Sequence, residues 1–484
     1  MLDRFRWVFC QLETLRYCLP SSIRRFLNEL PETLDETYER ILRDINKTNR
    51  SNARRLLQCL TAASRPLRLQ ELAEILAFDF EGAQGGIPKL NTDWRWGDEE
   101  QAVLSTCSSL IVVVVDDAGS HVVQFSHFSV KEFLTSQRLA CSIDPDVSRH
   151  HVTLEVAHTI LARSCLGVLL CLDERADKES VKSFPLVEYA ARYWVDHAQF
   201  GNVLSHVRDG MEVLFDSSKP HFAAWLRVHY MDGYWDGLSF SYLVRPPVPL
   251  YYAALCGFYG LAAHLIVKLP EQVNAVGGRI LSPLLAALHR KHFRIAELLY
   301  HHGAVVDIRC LWERTPLHAA SLHGTIDTVR WLLDHGANPN SRQDDYWTPL
   351  HLTAWKGRVK VAQVLLERNA DIHSRSDDGR VPLHMASEFG HPDVVRLLLE
   401  RGADADACDN ERSTPLHLAS SNGRVEVVRL LLEHGVNSDA EDIGGLAPFQ
   451  IASICGRDEI TRLLMEHGRQ VQDIEATRAN STGY

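Results

Sequence analysis

Histidine and cysteine are the residue types here most able to do chemistry, so their spacing is the first thing to test. The chain of 484 residues holds 24 histidines and 11 cysteines. No two cysteines form a C-x-x-C pair, and an odd number of scattered thiols suits reduced side chains filling cores. His150-His151 and His301-His302 have no partners at metal-ligand spacing, and no H-E-x-x-H, G-x-S-x-G or G-x-G-x-x-G occurs. What does recur is His318, His351, His384 and His417, one every 33 residues. A histidine repeated at a fixed period is expected to be scaffold rather than catalyst. The sequence therefore predicts no catalytic residue, no cofactor, no metal and no enzymatic activity.

Those histidines close a repeated tetrapeptide. Thr315-Pro316-Leu317-His318 is followed at the same interval by Thr348-Pro349-Leu350-His351, Val381-Pro382-Leu383-His384, Thr414-Pro415-Leu416-His417 and Ala447-Pro448-Phe449-Gln450. Ser282-Pro283-Leu284-Leu285 and Val248-Pro249-Leu250-Tyr251 extend the series backwards, giving about seven units over 242–468. This period with this tetrapeptide resembles the ankyrin repeat, two helices and a hairpin per unit. Each position has a physical reading. Thr315 is expected to cap the first helix through its hydroxyl, and Pro316 costs nothing at the first helical position. His318 can reach the neighbouring unit's backbone. Gly257, Gly324, Gly357, Gly390, Gly423 and Gly456 are expected to end the first helices, and Gly303, Gly336, Gly402, Gly435, Gly468 and Asn369 the second. No unit buries its apolar face alone, so stacking must supply the core. Residues 469–484 are polar and are expected to fray as a disordered tail.

The remaining chain reads as helical, with one exception. Leu110–Val115 and His121–Phe125 are β-branched runs joined by Asp116-Asp117-Ala118-Gly119-Ser120, a hairpin signal. Helices before such a hairpin suggest a winged-helix-like α/β segment over 31–140. A helical connector over 141–241 follows, and residues 1–30 form a helical segment ahead of both. The fold class is thus predominantly α, an ankyrin-repeat solenoid preceded by a winged-helix-like segment and a connector.

Phe5-Arg6-Trp7-Val8-Phe9-Cys10-Gln11-Leu12 and Leu30-Pro31-Glu32-Thr33-Leu34-Asp35-Glu36-Thr37-Tyr38 resemble the segment after the nucleotide-binding core of NACHT-type STAND ATPases, in particular the fungal group that ends in ankyrin repeats. Val123-Gln124-Phe125-Ser126-His127-Phe128-Ser129 and Lys131-Glu132-Phe133-Leu134 resemble that group's winged-helix end. The resemblance implies an upstream NACHT module, and makes His127 a candidate nucleotide-sensing residue if such a core is supplied. No G-x-x-x-x-G-K-[ST] phosphate loop occurs in this sequence, so residues 1–30 are expected to be the remnant that follows a NACHT core the chain lacks.

Function is expected where units differ. By register the hairpin tips carry Trp312 and Arg314, Tyr346 and Trp347, Asp378 and Arg380, and Glu411 and Arg412. The inner helices carry Leu322-His323, Trp355-Lys356, Glu388-Phe389 and Ser421-Asn422. Trp312, Arg314, Tyr346, Trp347, Trp355, Lys356, Phe389 and Arg412 are the predicted partner-binding residues, since aromatics and arginine dominate binding hot spots. The partner is expected to be another protein. A net charge of −11 argues against nucleic acid, as do Glu71 and Glu74 on the predicted recognition helix, Gln70–Leu76. The longest apolar run is too short to span a bilayer, and a cytosolic or nuclear location is expected. The alternative is the C-terminal part of a nucleotide-switched STAND ATPase.

Overall fold

A computed structural model describes residues 33–229 and 248–481, apart from 84–85, 96, 108, 174–182, 278–281, 310–312 and 324. The chain divides into two compact units, 1–238 and 239–484. The segment predicted over 1–30 lies outside the described residues, as does Trp312.

The first unit begins with α1 (Leu34–Asp44), started by a capping box. Thr33 Oγ1 accepts from the Glu36 N–H at 3.2 Å, and the Glu36 carboxylate accepts from the Thr33 N–H. Then come α2 (Arg50–Ala62), β1 (Leu67–Arg68), α3 (Leu69–Leu76), β2 (Phe78–Asp79) and β3 (Lys89–Leu90). After these follow α4 (Glu99–Cys107), β4 (Ile111–Val115) and β5 (His121–Phe125). The hairpin lies where the β-branched runs placed it. Its inner strand β5 also pairs with β1, giving an antiparallel sheet ordered β1-β5-β4. A two-residue strand such as β1 has no sequence signal of its own; its pairing with Val122 and Val123 defines it.

This topology corrects the predicted recognition helix. In a helix-turn-helix pair the second helix enters the groove, and the second helix here is α4, directly before the wing. Its first turn carries Glu99 and Glu100 and its last turn has no basic residue. The predicted helix α3 is instead interior. Glu71 and Glu74 are buried, held by Arg65 at 2.8 Å and by Arg95, so they meet cations rather than solvent.

Helices α5 (Phe128–Leu134), α6 (Gln137–Ala140) and α7 (Pro145–Ser148) close the winged-helix segment. The connector contains α8 (Leu154–Leu169), α9 (Val187–Ala198), α10 (Leu204–Leu214) and α11 (His221–Val228). Its centre is aromatic. Trp194 and Trp225 meet edge to face at 5.5 Å, and the Trp225 indole donates to the Ala191 carbonyl at 3.0 Å. Glu74 ties the two segments together by accepting from the Leu186 N–H at 2.7 Å.

The second unit is a run of helix pairs. The inner helices are α12 (Pro249–Leu255), α14 (Pro283–His289), α16 (Pro316–His323), α18 (Pro349–Lys356), α20 (Pro382–Phe389), α22 (Pro415–Ser421) and α24 (Pro448–Ile454). The outer ones are α13 (Tyr259–Lys268), α15 (Phe293–His301), α17 (Ile326–Asp334), α19 (Val359–Glu367), α21 (Pro392–Glu400), α23 (Val425–Glu433) and α25 (Asp458–Ser481). Leu317, Leu350, Leu383 and Leu416 of the inner helices, with Leu332, Leu365, Leu398 and Leu431 of the outer ones, are all buried. Every inner helix starts at the proline of its tetrapeptide.

Three details differ from expectation. Among the described residues the Thr348 hydroxyl makes no bond to a helical N–H; it lies 2.9 Å from His351 Nδ1, which accepts from the Thr348 N–H at 3.2 Å. Gly468 does not end its helix, since α25 runs to Ser481 across the predicted tail, whose residues 469–481 contain neither glycine nor proline. Among the described residues six units have a left-handed residue nine places after the cap, yet the second has Lys291 there at φ +61°.

Candidate protein-binding face

The scaffold histidines build the site. His318 Nδ1 accepts from the Thr315 N–H at 3.2 Å, which fixes the ring as the Nε2–H tautomer. Nε2 then donates to the Trp347 carbonyl, 3.0 Å away in the next unit. The same arrangement repeats in His351 to Arg380, His384 to Ser413 and His417 to Leu446, at 3.0–3.1 Å. Burial lowers the pKa of His318, His351 and His384 to about 4 each, and that of His417 in the same direction. Gln450 fills the position in the last tetrapeptide, its Oε1 accepting from the Ala447 N–H at 2.8 Å.

Each constant histidine thus anchors the residue just before the next cap, one of the variable positions. Trp347 is held this way by His318. Trp355 is held from the other side, since His391 Nε2 donates to its carbonyl at 2.9 Å. That reach requires Gly357: a Cβ there would stand 2.6 Å from the His391 ring, and its φ is +67°.

The side chains so fixed form an aromatic row. Trp347 and Trp355 meet edge to face at 5.8 Å, and Trp355 and Phe389 at 6.0 Å. The Lys356 ammonium lies 3.7 Å from the Trp355 ring centroid. Trp347 and Trp355 are half-buried, while Lys356 and Phe389 are exposed. Beside the row, Arg380 bridges Glu388 at 2.9 Å and the buried Asp409 at 3.3 Å. Asp409 also accepts from the Glu411 and Ser413 N–H groups at 2.9 and 2.8 Å, so it holds a hairpin rather than facing a partner.

Tyr346 begins the row. It is 51% exposed and adopts φ +57°. The equivalent tip positions are Glu313, Gly379, Arg412 and Gly445, all left-handed. Glycine accepts that conformation freely, whereas a bulky residue there costs roughly 1–2 kcal/mol. The signal was present in the sequence: two tips at this register carry glycine and three carry large side chains. Arg342 lies over the Tyr346 ring, 5.4 Å from its centroid.

Of the predicted residues, Trp347, Trp355, Lys356 and Phe389 form this one surface, and Tyr346 precedes Trp347 at the exposed tip. Arg314 is half-buried: its Nε donates to Gln343 at 3.1 Å, and burial lowers its pKa. Arg412 is exposed at a tip two hairpins beyond Tyr346. His127 is the N-cap of α5. Its Nδ1 lies 2.6 Å from Ser129 Oγ, which lies 2.9 Å from the Tyr38 hydroxyl. Sequence reasoning missed a second aromatic group, on the outer helices. There Trp331 stacks on His335 at 3.8 Å and donates to Glu297 at 2.7 Å. Among the described residues no group of three or more His, Cys, Asp or Glu could hold a metal ion, and no helix is long and apolar enough to cross a membrane.

Comparison with known proteins matches part of each unit. The ankyrin-repeat family matches residues 250–343, 284–376, 335–409 and 383–475. The winged-helix domain of GPI inositol-deacylase matches residues 39–144. The chain carries ankyrin repeats and a winged-helix domain. Among curated proteins it is similar to the azaphilone pigments biosynthesis cluster protein L of Monascus ruber, 31% identical over 300 residues, which are 58% of this chain and 61% of that protein. It is 30% identical over 90 residues to the ankyrin repeat protein nuc-2 of Neurospora crassa, covering 19% of this chain and 8% of that one. A putative ankyrin repeat protein of Rickettsia felis shares 35% over 103 residues, 19% of this chain and 45% of its own. The chain therefore spans less than two thirds of each of these relatives.

Proposed function

We propose that this chain is a non-catalytic interaction protein whose ankyrin array recognises another protein through the row Tyr346, Trp347, Trp355 and Phe389, with Lys356 beside it. Ankyrin repeats generally mediate protein–protein binding, which supports the coarse reading. The observation that carries the finer one is Tyr346. A tyrosine in left-handed backbone at a half-exposed tip, where two of the four sister tips use glycine, is a local cost, and it leaves an aromatic ring on the surface. It directly precedes Trp347, and the carbonyls of Trp347 and Trp355 are held by histidines of flanking units. A rigid, half-exposed aromatic row needs little ordering on binding, which favours affinity.

In this reading, which the resemblance to fungal NACHT–ankyrin receptors supports, the array is the sensing half of such a system and works beside an upstream NACHT module in the cytoplasm or nucleus. The array would sense, and an ATPase would respond. The test is selection of peptides from a displayed library on the whole chain, followed by titration of a selected peptide against Trp355→Ala/Phe389→Ala. Loss of two hot-spot aromatics is expected to weaken binding by at least about 30-fold, the equivalent of roughly 2 kcal/mol. Peptides that bind the double variant unchanged would overturn the assignment. Nucleotide titration separates the alternative, a nucleotide-switched ATPase segment. Tight ADP or ATP binding by this chain would refute the non-catalytic reading.

A further inference from the structure

The aromatic row lies between unpaired charges of opposite sign. At its tip end, Asp344 and Asp345 directly precede Tyr346. The Asp377 N–H donates to the Asp345 carbonyl at 3.1 Å, which fastens the Asp377-Asp378 tip alongside. All four carboxylates are exposed, and among the described residues none is hydrogen-bonded or ion-paired through its side chain. The nearby arginines are engaged elsewhere. Arg375 donates to the carbonyls of Gly379 and Cys408, and Arg380 holds Glu388 and Asp409. Arg314 donates to Gln343, and Arg342 lies over the Tyr346 ring. Locking aspartates side by side without a donor is unfavourable, and an incoming cation would relieve it.

At the other end the sign reverses. The Lys356 ammonium is held 3.7 Å from the Trp355 ring centroid, and Arg358 follows it at the start of α19. Both are exposed, and among the described residues neither pairs with a carboxylate. Glu388, the acid at the Trp355 register of the next unit, is already bridged to Arg380. We infer that the partner is a bipolar protein segment. Its basic side chain meets the aspartate tips, its apolar side chains cover Trp347, Trp355 and Phe389, and its acidic side chain meets Lys356. This partner presupposes that the row is the binding surface. A uniformly basic segment would set a cation against Lys356, and a uniformly acidic one a carboxylate against the aspartates, so like charge excludes both. With Trp347 and Trp355 5.8 Å apart, the row and the ammonium span about 10 Å, which separates the base from the acid by roughly three to five residues of extended chain.

Selection on the whole chain from displayed peptide libraries tests this. All share a random apolar centre, and their flanks are basic then acidic, acidic then basic, both basic, or both acidic. The bipolar libraries are expected to yield binders at least about tenfold tighter than the uniform ones. With a selected bipolar peptide, Lys356→Glu is expected to weaken binding at least about tenfold, and exchanging the peptide's acid for lysine to restore it, so a folding defect cannot mimic the result. Asp344→Asn/Asp345→Asn/Asp377→Asn/Asp378→Asn removes the tip charge, and asparagine suits the left-handed backbone of Asp345, φ +48°. It is expected to weaken binding at least about tenfold and to make the peptide's base replaceable by glutamine without further loss. Trp355→Ala/Phe389→Ala separates this partner from the row itself. Binding that is lost in that variant but ignores both the Lys356 and the aspartate changes would leave the row standing and overturn the bipolar partner. So would preferential selection of uniformly charged peptides. Binding that survives Trp355→Ala/Phe389→Ala would remove the row, and the bipolar partner with it.

Discussion

The buried histidines make the array acid-sensitive, and the size of the effect follows from the structure. His318, His351 and His384 are each completely buried, with pKa values lowered to about 4 against an ordinary 6.5. In each ring Nδ1 accepts a backbone N–H, so a second proton would set donor against donor in addition to charging a dry site. The folded pKa lies below the unfolded one, so the unfolded chain binds more protons between them, and stability falls with falling pH. The contribution is complete above about pH 6.5 and is lost progressively down to about 4. At pH 5 each of the three loses about 2 kcal/mol relative to pH 7.5, taking 1.36 kcal/mol per pKa unit. The three sites act in the same direction, so stability falls steeply as the pH drops through that range. The chain contains its own remedy in Gln450, which makes the same local bond without a titratable proton. His351→Gln is therefore expected to shrink the loss between the two pH values by about 2 kcal/mol, while costing about 1 kcal/mol at pH 7.5 for imperfect geometry. Urea unfolding of the whole chain at both pH values, followed by tryptophan fluorescence, measures the difference. If H351Q loses as much stability as the wild type between them, the protonation argument fails.

Gly357→Ala combines a left-handed φ with a Cβ placed against the His391 ring, and is expected to destabilise the array by about 2–3 kcal/mol, measurable in the same unfolding experiment. Conversely, Tyr346→Gly relieves a strained tip and should raise stability by roughly 1 kcal/mol while weakening capture of the selected peptides; stability and binding moving in the same direction would contradict the role assigned to Tyr346. Glu74→Ala strips the partner from Arg95 and from the Leu186 N–H in the first unit, and is expected to cost about 3 kcal/mol there, visible as an earlier thermal transition by circular dichroism. Arg380→Ala leaves Asp409 with its backbone partners alone and should cost about 1–2 kcal/mol without abolishing the hairpin.

The array was legible because its constraints are local and repeated. Proline at the first helical position, a left-handed residue nine places after the cap and paired leucines act within one unit, and the period multiplies them. Even so, the division of labour between Thr348 and His351 was not readable. Both can cap, and only the neighbouring carbonyl at Arg380 decides that the imidazole takes the Thr348 N–H on one side and reaches the next unit on the other. The hairpin of the winged helix was equally plain. Which helix pairs with it was not, because α3 and α4 have similar lengths, and the choice depends on β1, two residues whose strand character exists only through pairing with β5.

By itself the sequence determined the period, the start of every inner helix and the set of positions free to vary, because backbone sterics and burial of a single leucine act over a few residues. The tertiary structure alone decided which variable residues meet. Trp347, Trp355 and Phe389 lie 8 and 34 residues apart along the chain and within about 6 Å in space because stacking places one unit's tip and helix against the next. It decided as well that Glu71 and Glu74 turn inward to Arg65 and Arg95. A buried carboxylate needs a cation at hydrogen-bond distance, and where that cation lies is a property of the fold rather than of any window of sequence.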